Sequence, residues 1–234
     1  MTVAAVILLA TLDAGLADTA GRPAARRMVE SAWAGGATPI VVVSDDEAGR
    51  LAGTLAGSPA VLAEPAPPVA GWVGQVVRGL RVAAEHVRDT EGALVWPGQM
   101  VWIDAETVTT LIETFGLDRG TLLRPRYGDE AGWPLLVPIE LLPRLKALGP
   151  ELSLSALVDD LVAAGTVLRE VETGDPGVAH DISIPIEALP AFEGPPEPVK
   201  SPPEWGAAAA DMSDEGPLQG PALAPYSQAA EEGE

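Results

Sequence analysis

The chain has 234 residues, 47% of them hydrophobic, enough for one domain with a substantial core. It has no cysteine and two histidines, His86 and His180, which excludes disulfides, thiolate metal sites, cysteine nucleophiles and a histidine-rich metal site. A formal charge of -20 argues against a phosphate-backbone partner, so nucleic-acid binding is not expected. The positive charge is carried by twelve arginines and by lysine only at Lys146 and Lys200.

In chain order, short β-branched runs alternate with segments of helical apolar spacing. Strands are expected at 3–9, 39–44, 60–63, 93–96, 121–126 and 166–171, and helices at 24–34, 47–56, 74–87, 105–115, 139–148 and 155–164. This alternation predicts an α/β domain, a mainly parallel, doubly wound sheet covered by helices in three layers. Gly35 and Gly36 are suited to ending the first long helix, while Asp104 and Ser153 can cap the helices that follow them. No run of about 18 apolar residues offers a membrane span, and Met1 to Ala10 lacks a basic n-region, so a cytoplasmic protein is expected.

From Glu193 the composition turns to Pro, Gly, Ala and acid. Nine acids against Lys200 give this stretch -8 of the total charge, and it is too poor in large apolar residues to form a core. The expected organisation is a domain over 1–192 and a disordered acidic tail over 193–234. The tail is either a solubilising extension or a docking segment whose anchors are Trp205, Leu218, Leu223 and Tyr226.

Six segments in order resemble the MobA-like NTP transferases, the family that couples molybdopterin to GMP or CMP. VAAVILL is similar to the opening strand, and GRPAARRMVESAWAGGATPIVVVSDD to the helix and strand after the nucleotide loop. GWVGQVVRGLRVA resembles the glycine-containing helix start, and GALVWPGQMVWIDAETV the strand, metal loop and next helix. RPRYGDEAGWPLLVP resembles the substrate-side hairpin, and GDPGVAHDISIPIEAL the closing segment. The resemblance implies the nucleotide-diphospho-sugar transferase (GT-A-like) fold over roughly residues 3–192.

It also exposes departures. The family's first loop, approximately L-A-A-G-x-S-x-R-M-G-x-x-K, holds a triphosphate with backbone amides and two cations. Here the stretch is LLATLDAGLADTAGRP, with Asp13 and Asp18 and no basic residue before Arg22. The metal loop G-D-x-P has become P-G-Q-M-V, with Gln99 in place of the aspartate, a neutral and weaker ligand for magnesium. Asp104 could reach a metal but reads better as a helix cap. Near the end, DISIPIE keeps Asp181 and has Ser183 for the second acid. Where many relatives have G-H-P, this chain has Gly132, Trp133 and Pro134; Trp133 either stacks on a pterin or base or fills the core.

The residues expected to border a substrate are therefore Arg22, Gly71, Gly74, Gln75, Arg78, Gln99 and Trp133, with Asp104 and Asp181 as weak metal ligands. Trp72, Trp96 and Trp102 are placed near the pocket mouth, and Arg26 and Arg27 either hold an anion or lie on a solvated helix face. The reading that follows is a family member without most of the catalytic signature, binding a cofactor such as molybdopterin or aiding assembly of a molybdenum-dependent oxidoreductase. One alternative is an active enzyme using magnesium with CTP or GTP in a remodelled site. Another is an interaction module acting through its tail.

Overall fold

A computed structural model describes residues 1–194. The expected acidic tail, from residue 195 on, lies outside the described residues. Among the described residues eight strands form one mixed sheet. They are β1 (Thr2–Leu8), β2 (Ile40–Val43), β3 (Ala60–Ala63), β4 (Thr90–Pro97), β5 (Leu122–Tyr127), β6 (Glu130–Ala131), β7 (Leu135–Pro138) and β8 (Leu168–Glu172). Seven α-helices accompany them: α1 (Leu12–Leu16), α2 (Ala24–Ala34), α3 (Arg50–Thr54), α4 (Gly71–His86), α5 (Ala105–Leu117), α6 (Leu142–Leu145) and α7 (Leu154–Ala163).

The strand order is β3-β2-β1-β4-β7-β5-β6, with β8 paired to β5. β1, β2, β3 and β4 run parallel, and β7 enters antiparallel between β4 and β5. β1 is buried on both faces, as a central parallel strand requires. Val3, Ala5 and Ile7 face the layer of α2 and α5, whereas Ala4, Val6 and Leu8 face α4 and α7. Each fully buried large aliphatic side chain contributes about 1.5–3 kcal/mol to this two-sided core. α4 lies close on the sheet because Gly79 has no side chain; a Cβ there would sit 2.1 Å from Val6 Cγ1.

The six expected strands and the long helices α2, α4, α5 and α7 occur at their expected places. Several local features differ, among them the two-residue strand β6 and the short helix α1, neither of which is among the expected elements. The expected strand list omits β7, whose four residues are bracketed by Pro134 and Pro138; the prolines stand just before and at the end of the strand, where few ladder N–H groups are lost. The helix expected at 139–148 is a 3₁₀ turn, Ile139–Leu141, followed by the single turn α6, with Pro143 among its first residues. The helix expected at 47–56 shortens to α3. The caps are as expected: Asp104 accepts from the Glu106 amide at 2.9 Å, and Ser153 from the Ala156 amide at 3.1 Å.

Candidate active-site cleft

The parallel strands end on one side of the sheet, next to the reversal of strand order between β1 and β4, where α/β sheets of this kind bind ligands. A cleft of about 580 Å³ opens there. The loop after β1 supplies Leu9, Ala10, Thr11 and Leu12, and the loop after β2 supplies Ser44 and Asp45. Pro65 to Pro68 follow β3, and Gly71, Trp72 and Gln75 come from the start of α4. Trp72 also lines a second hollow of about 220 Å³, shared with Pro97, Gln99, Trp133, Leu154 and Ser155. Neither cavity is lined by an arginine or a lysine.

Gly71 is dictated by geometry. Its φ of +58° is in the left-handed half of backbone space, and a Cβ would stand 1.9 Å from the Pro150 carbonyl oxygen. Gln75 faces the cleft with its amide spent: it donates to the Ala66 carbonyl at 2.9 Å and accepts from the Ala66 amide at 2.8 Å. Its role is to shape the loop after β3. Gly74 and Arg78 border the outer side of that loop, where Arg78 donates to the Glu64 carbonyl at 3.1 Å.

The first loop is not a glycine-rich phosphate cradle. Residues 12–16 wind into α1, and the Thr11 hydroxyl caps it by accepting from the Ala14 amide at 3.2 Å. Leu12 and Leu16 pack against the core beneath α1. Asp13 lies 3.7 Å from Arg50 with its side chain exposed. Residues 19–22 then form a tight reverse turn, with Ala20 at φ +52° and Gly21 at φ +81°, closed by the Thr19 amide donating to the Arg22 carbonyl at 2.7 Å.

The arginines after this turn are committed to the protein. Arg22 and Arg26 both pair with Glu30 at 2.8 Å, and the Arg26 bond is the largest influence holding the Glu30 carboxyl below its ordinary value. Arg26 also donates to the Ala56 carbonyl. Arg27 donates to the Thr19 carbonyl at 2.6 Å and to its hydroxyl at 3.0 Å, with its guanidinium 5.1 Å from the Trp102 ring. Burial, then the neighbouring Arg22, lowers the Arg27 pKa. Arg22, expected at the substrate, does not line the cleft, and Arg26 and Arg27 are not merely solvated.

The residues present do not fit a magnesium ion. Gln99 is exposed, offering a neutral amide beside the second hollow. Asp104 caps α5, and the Asp181 carboxylate accepts from both the amide and the hydroxyl of Ser183, at 2.9 and 2.5 Å. Among the described residues no group of three His, Cys, Asp or Glu side chains is placed to hold a metal. The two weak metal candidates are therefore local structural caps.

The tryptophans separate. Trp96 is fully buried, donating to the Met100 carbonyl at 2.7 Å, and is core rather than pocket mouth. Trp102 ties the loop after β4 to the closing segment through the Ile184 carbonyl at 2.8 Å. Trp133 is half-buried, packed against both core clusters, so it fills the core, and it also lines the second hollow. His180 is held by the Pro176 carbonyl at 2.8 Å and by the edge of Tyr127, away from both hollows.

Sequence reasoning passed over Asp175. It is 2% exposed and accepts from the Asp104 amide at 2.9 Å, the Thr107 hydroxyl at 2.7 Å and the Gly177 amide at 2.8 Å. The closing segment is thereby bonded to the start of α5. Its signal was the G-D-P-G run, an aspartate set in a tight turn.

Among solved structures, the chain is similar to a nucleotidyl transferase from Methanothermobacter thermautotroptrophicus, with 19% identity, a TM-score of 0.65, and 77% of this chain and 91% of that one covered. A manganese complex of Rv0371C from Mycobacterium tuberculosis H37Rv is 18% identical at TM-score 0.56, over 74% and 88%. A cytidylyltransferase from Leptospira borgpetersenii is 13% identical at TM-score 0.57, over 75% and 77%. At these identities the likeness is one of fold. No curated protein matches in sequence. The family model described as MobA-like NTP transferase domain matches residues 11–165. With that span matched, the chain belongs to the MobA-like NTP transferase family.

Proposed function

We propose that this chain keeps the fold and cleft of its family without transferring a nucleotide, and that it holds a pterin-type cofactor during assembly of a molybdenum-dependent oxidoreductase. The observation that carries the first half is the first loop. Where the family's pattern places phosphate-binding amides and two cations, this chain has the Thr11-capped helix α1, and its nearest arginines are paired with Glu30 or bound to Thr19.

Nucleotidyl transfer depends on positioning and on cations that offset charge developing on phosphate. A cleft without arginine or lysine, beside Gln99 and two aspartates used as caps, supplies neither. The remodelled-enzyme alternative has Asp13, Asp18, Asp104 or Asp181 holding magnesium, and each of the four is engaged locally, by Arg50, the Gly21 amide, the Glu106 amide and Ser183 in turn. The cofactor half rests on the family, whose reaction acts on molybdopterin, and on the apolar, tryptophan-lined cleft that a flat ring system suits. The link to an oxidoreductase is an analogy of the same origin.

The test is thermal stability with CTP, GTP and ATP, each with magnesium, and with a molybdopterin-type ligand, alongside a pyrophosphate-release assay. The expected result is a shift with the pterin and none with the nucleotides. Magnesium-dependent pyrophosphate release would overturn the proposal.

A further inference from the structure

The closing segment leaves the sheet after β8 and comes back to where it left. The Glu193 amide donates to the Gly174 carbonyl at 3.1 Å, and the two glycines at this neck, Gly174 and Gly194, have φ of +63° and +75°. A Cβ on Gly174 would collide with the Gly194 carbonyl oxygen. Residues 175–193 are therefore a loop with joined ends, of the Ω type. Its two halves are held differently. Residues 175–178 are buried: Asp175 accepts from the Asp104 amide and the Thr107 hydroxyl, and the Val178 carbonyl accepts from the Trp133 amide at 2.9 Å. The backbones lie so close there that Gly177, against the Trp102 carbonyl, and Gly132, against the Val178 carbonyl, have no room for a Cβ. Residues 181–193 are mostly exposed. Among the described residues two hydrogen bonds tie them to the domain beyond the neck, the Ile182 amide to the Gln99 carbonyl and the Trp102 indole N–H to the Ile184 carbonyl, both at 2.8 Å. Their other bonds are internal, from Ser183 and the Ile184 amide to Asp181 and from the Ala188 amide to the Pro185 carbonyl. Between this outer half and the turn at Asp18 to Ala20 lies a hollow of about 220 Å³, lined also by Trp102, Ile182 and Ile186.

We infer that residues 181–193 are a clasp that opens as one body from the glycine neck while residues 175–178 stay seated, and that its opening releases Gln99 from its place on the second hollow. That hollow, lined by Trp72, Pro97, Gln99 and Trp133, has its walls bonded to different halves of the loop. The Trp133 amide is bonded to the buried half, so this wall is fixed; the Gln99 carbonyl is bonded to the outer half, so this wall moves with the clasp. Opening breaks two hydrogen bonds and uncovers the partly buried Ile182, which is a small loss beside unfolding the domain, as for the low-stability units that open locally in folded proteins. The internal bonds keep the outer half together as it moves. This inference holds whether or not the chain transfers a nucleotide.

The experiment is amide hydrogen exchange of the full 234-residue chain, read residue by residue by NMR. In the natural chain the Ile182 amide is expected to exchange faster than the Trp133 amide. Trp102→Phe keeps a ring and loses the N–H to Ile184; it accelerates Ile182 about 2- to 10-fold, the range for one hydrogen bond, and leaves Trp133 and the amides of α4 unchanged. Gly174→Ala parts the neck and gives the same signature. Gly165→Ala, with φ of +89° and open space around it, carries comparable backbone strain elsewhere and leaves Ile182 unchanged. Because the natural chain has no cysteine, Gln99→Cys provides a single thiol for a nitroxide label, and the label gains mobility when Trp102→Phe is added. Equal exchange of Ile182 and Trp133 in the natural chain, or an Ile182 amide indifferent to both Trp102→Phe and Gly174→Ala, overturns the clasp. So does an equal acceleration by Gly165→Ala. A label at position 99 that does not respond overturns the link to the second hollow.

Discussion

Replacing Asp175 tests whether the closing segment is fastened to the start of α5 as the geometry indicates. The carboxylate is buried and accepts three bonds, from the Asp104 amide, the Thr107 hydroxyl and the Gly177 amide. Asp175→Ala leaves those donors without their partner at about 1–3 kcal/mol for each one that water cannot reach, while relieving the burial of a charge. The balance is a loss of about 2–4 kcal/mol, from neutral donors left without their acceptor, out of a typical 5–15 kcal/mol. Asp175→Asn keeps one acceptor oxygen and loses about 1–2 kcal/mol.

The pH dependence has a definite sign. Burial raises the Asp175 pKa above its ordinary 3.8, and this outweighs the lowering by its three donors. An acid whose folded pKa is raised stabilises the fold fully below its unfolded value and loses that contribution as pH rises through the folded one. The stability advantage of the natural chain over Asp175→Asn therefore shrinks as pH is raised from about 3.8 through the folded pKa. Urea unfolding followed by circular dichroism across that range measures it. An Asp175→Ala variant within about 0.5 kcal/mol of the natural chain, a value typical of neutral surface changes, would refute the reasoning. So would an advantage that grows with pH.

Four further outcomes are expected. Gly71→Ala costs about 2 kcal/mol or more, since it meets both a positive φ and the Pro150 carbonyl, whereas Gly53→Ala, in open space within α3, stabilises by about 0.4–1 kcal/mol; thermal melts of the pair read the contrast. Arg27→Lys loses the fork to Thr19 and the planar contact with Trp102, lowering stability by about 1–2 kcal/mol in chemical denaturation. Gln75→Ala frees the loop after β3, and hydrogen exchange at the Ala66 amide accelerates while α4 stays protected. Gln99→Asp leaves pyrophosphate release at background, because one restored carboxylate supplies neither the missing cations nor a second anionic ligand; activity at a tenth of an active relative's rate would count against the proposed function.

The order of layers was legible in the amino-acid sequence because burial on both faces of a parallel sheet writes itself into continuous apolar runs such as VAAVILL and IVVV, and helical spacing marks what covers them. Composition settled the absence of cysteine chemistry, and the family was legible from six segments in order. The departures at 10–20 and at Gln99 were equally visible, since a missing lysine or aspartate needs no coordinates to be seen. What each remaining charge does was decided only in three dimensions. Arg27 lies on an amphipathic helix and nothing local says that it turns back to Thr19 and stacks on Trp102, a residue 75 positions away in the chain. Gln75 and Ala66, or Asp175 and Thr107, are paired by how loops pack, and packing is set by the whole sheet. Asp45 and Asp46 are neighbours of the same chemistry, and only the placement of α3 engages the carboxylate of Asp46 and not that of Asp45.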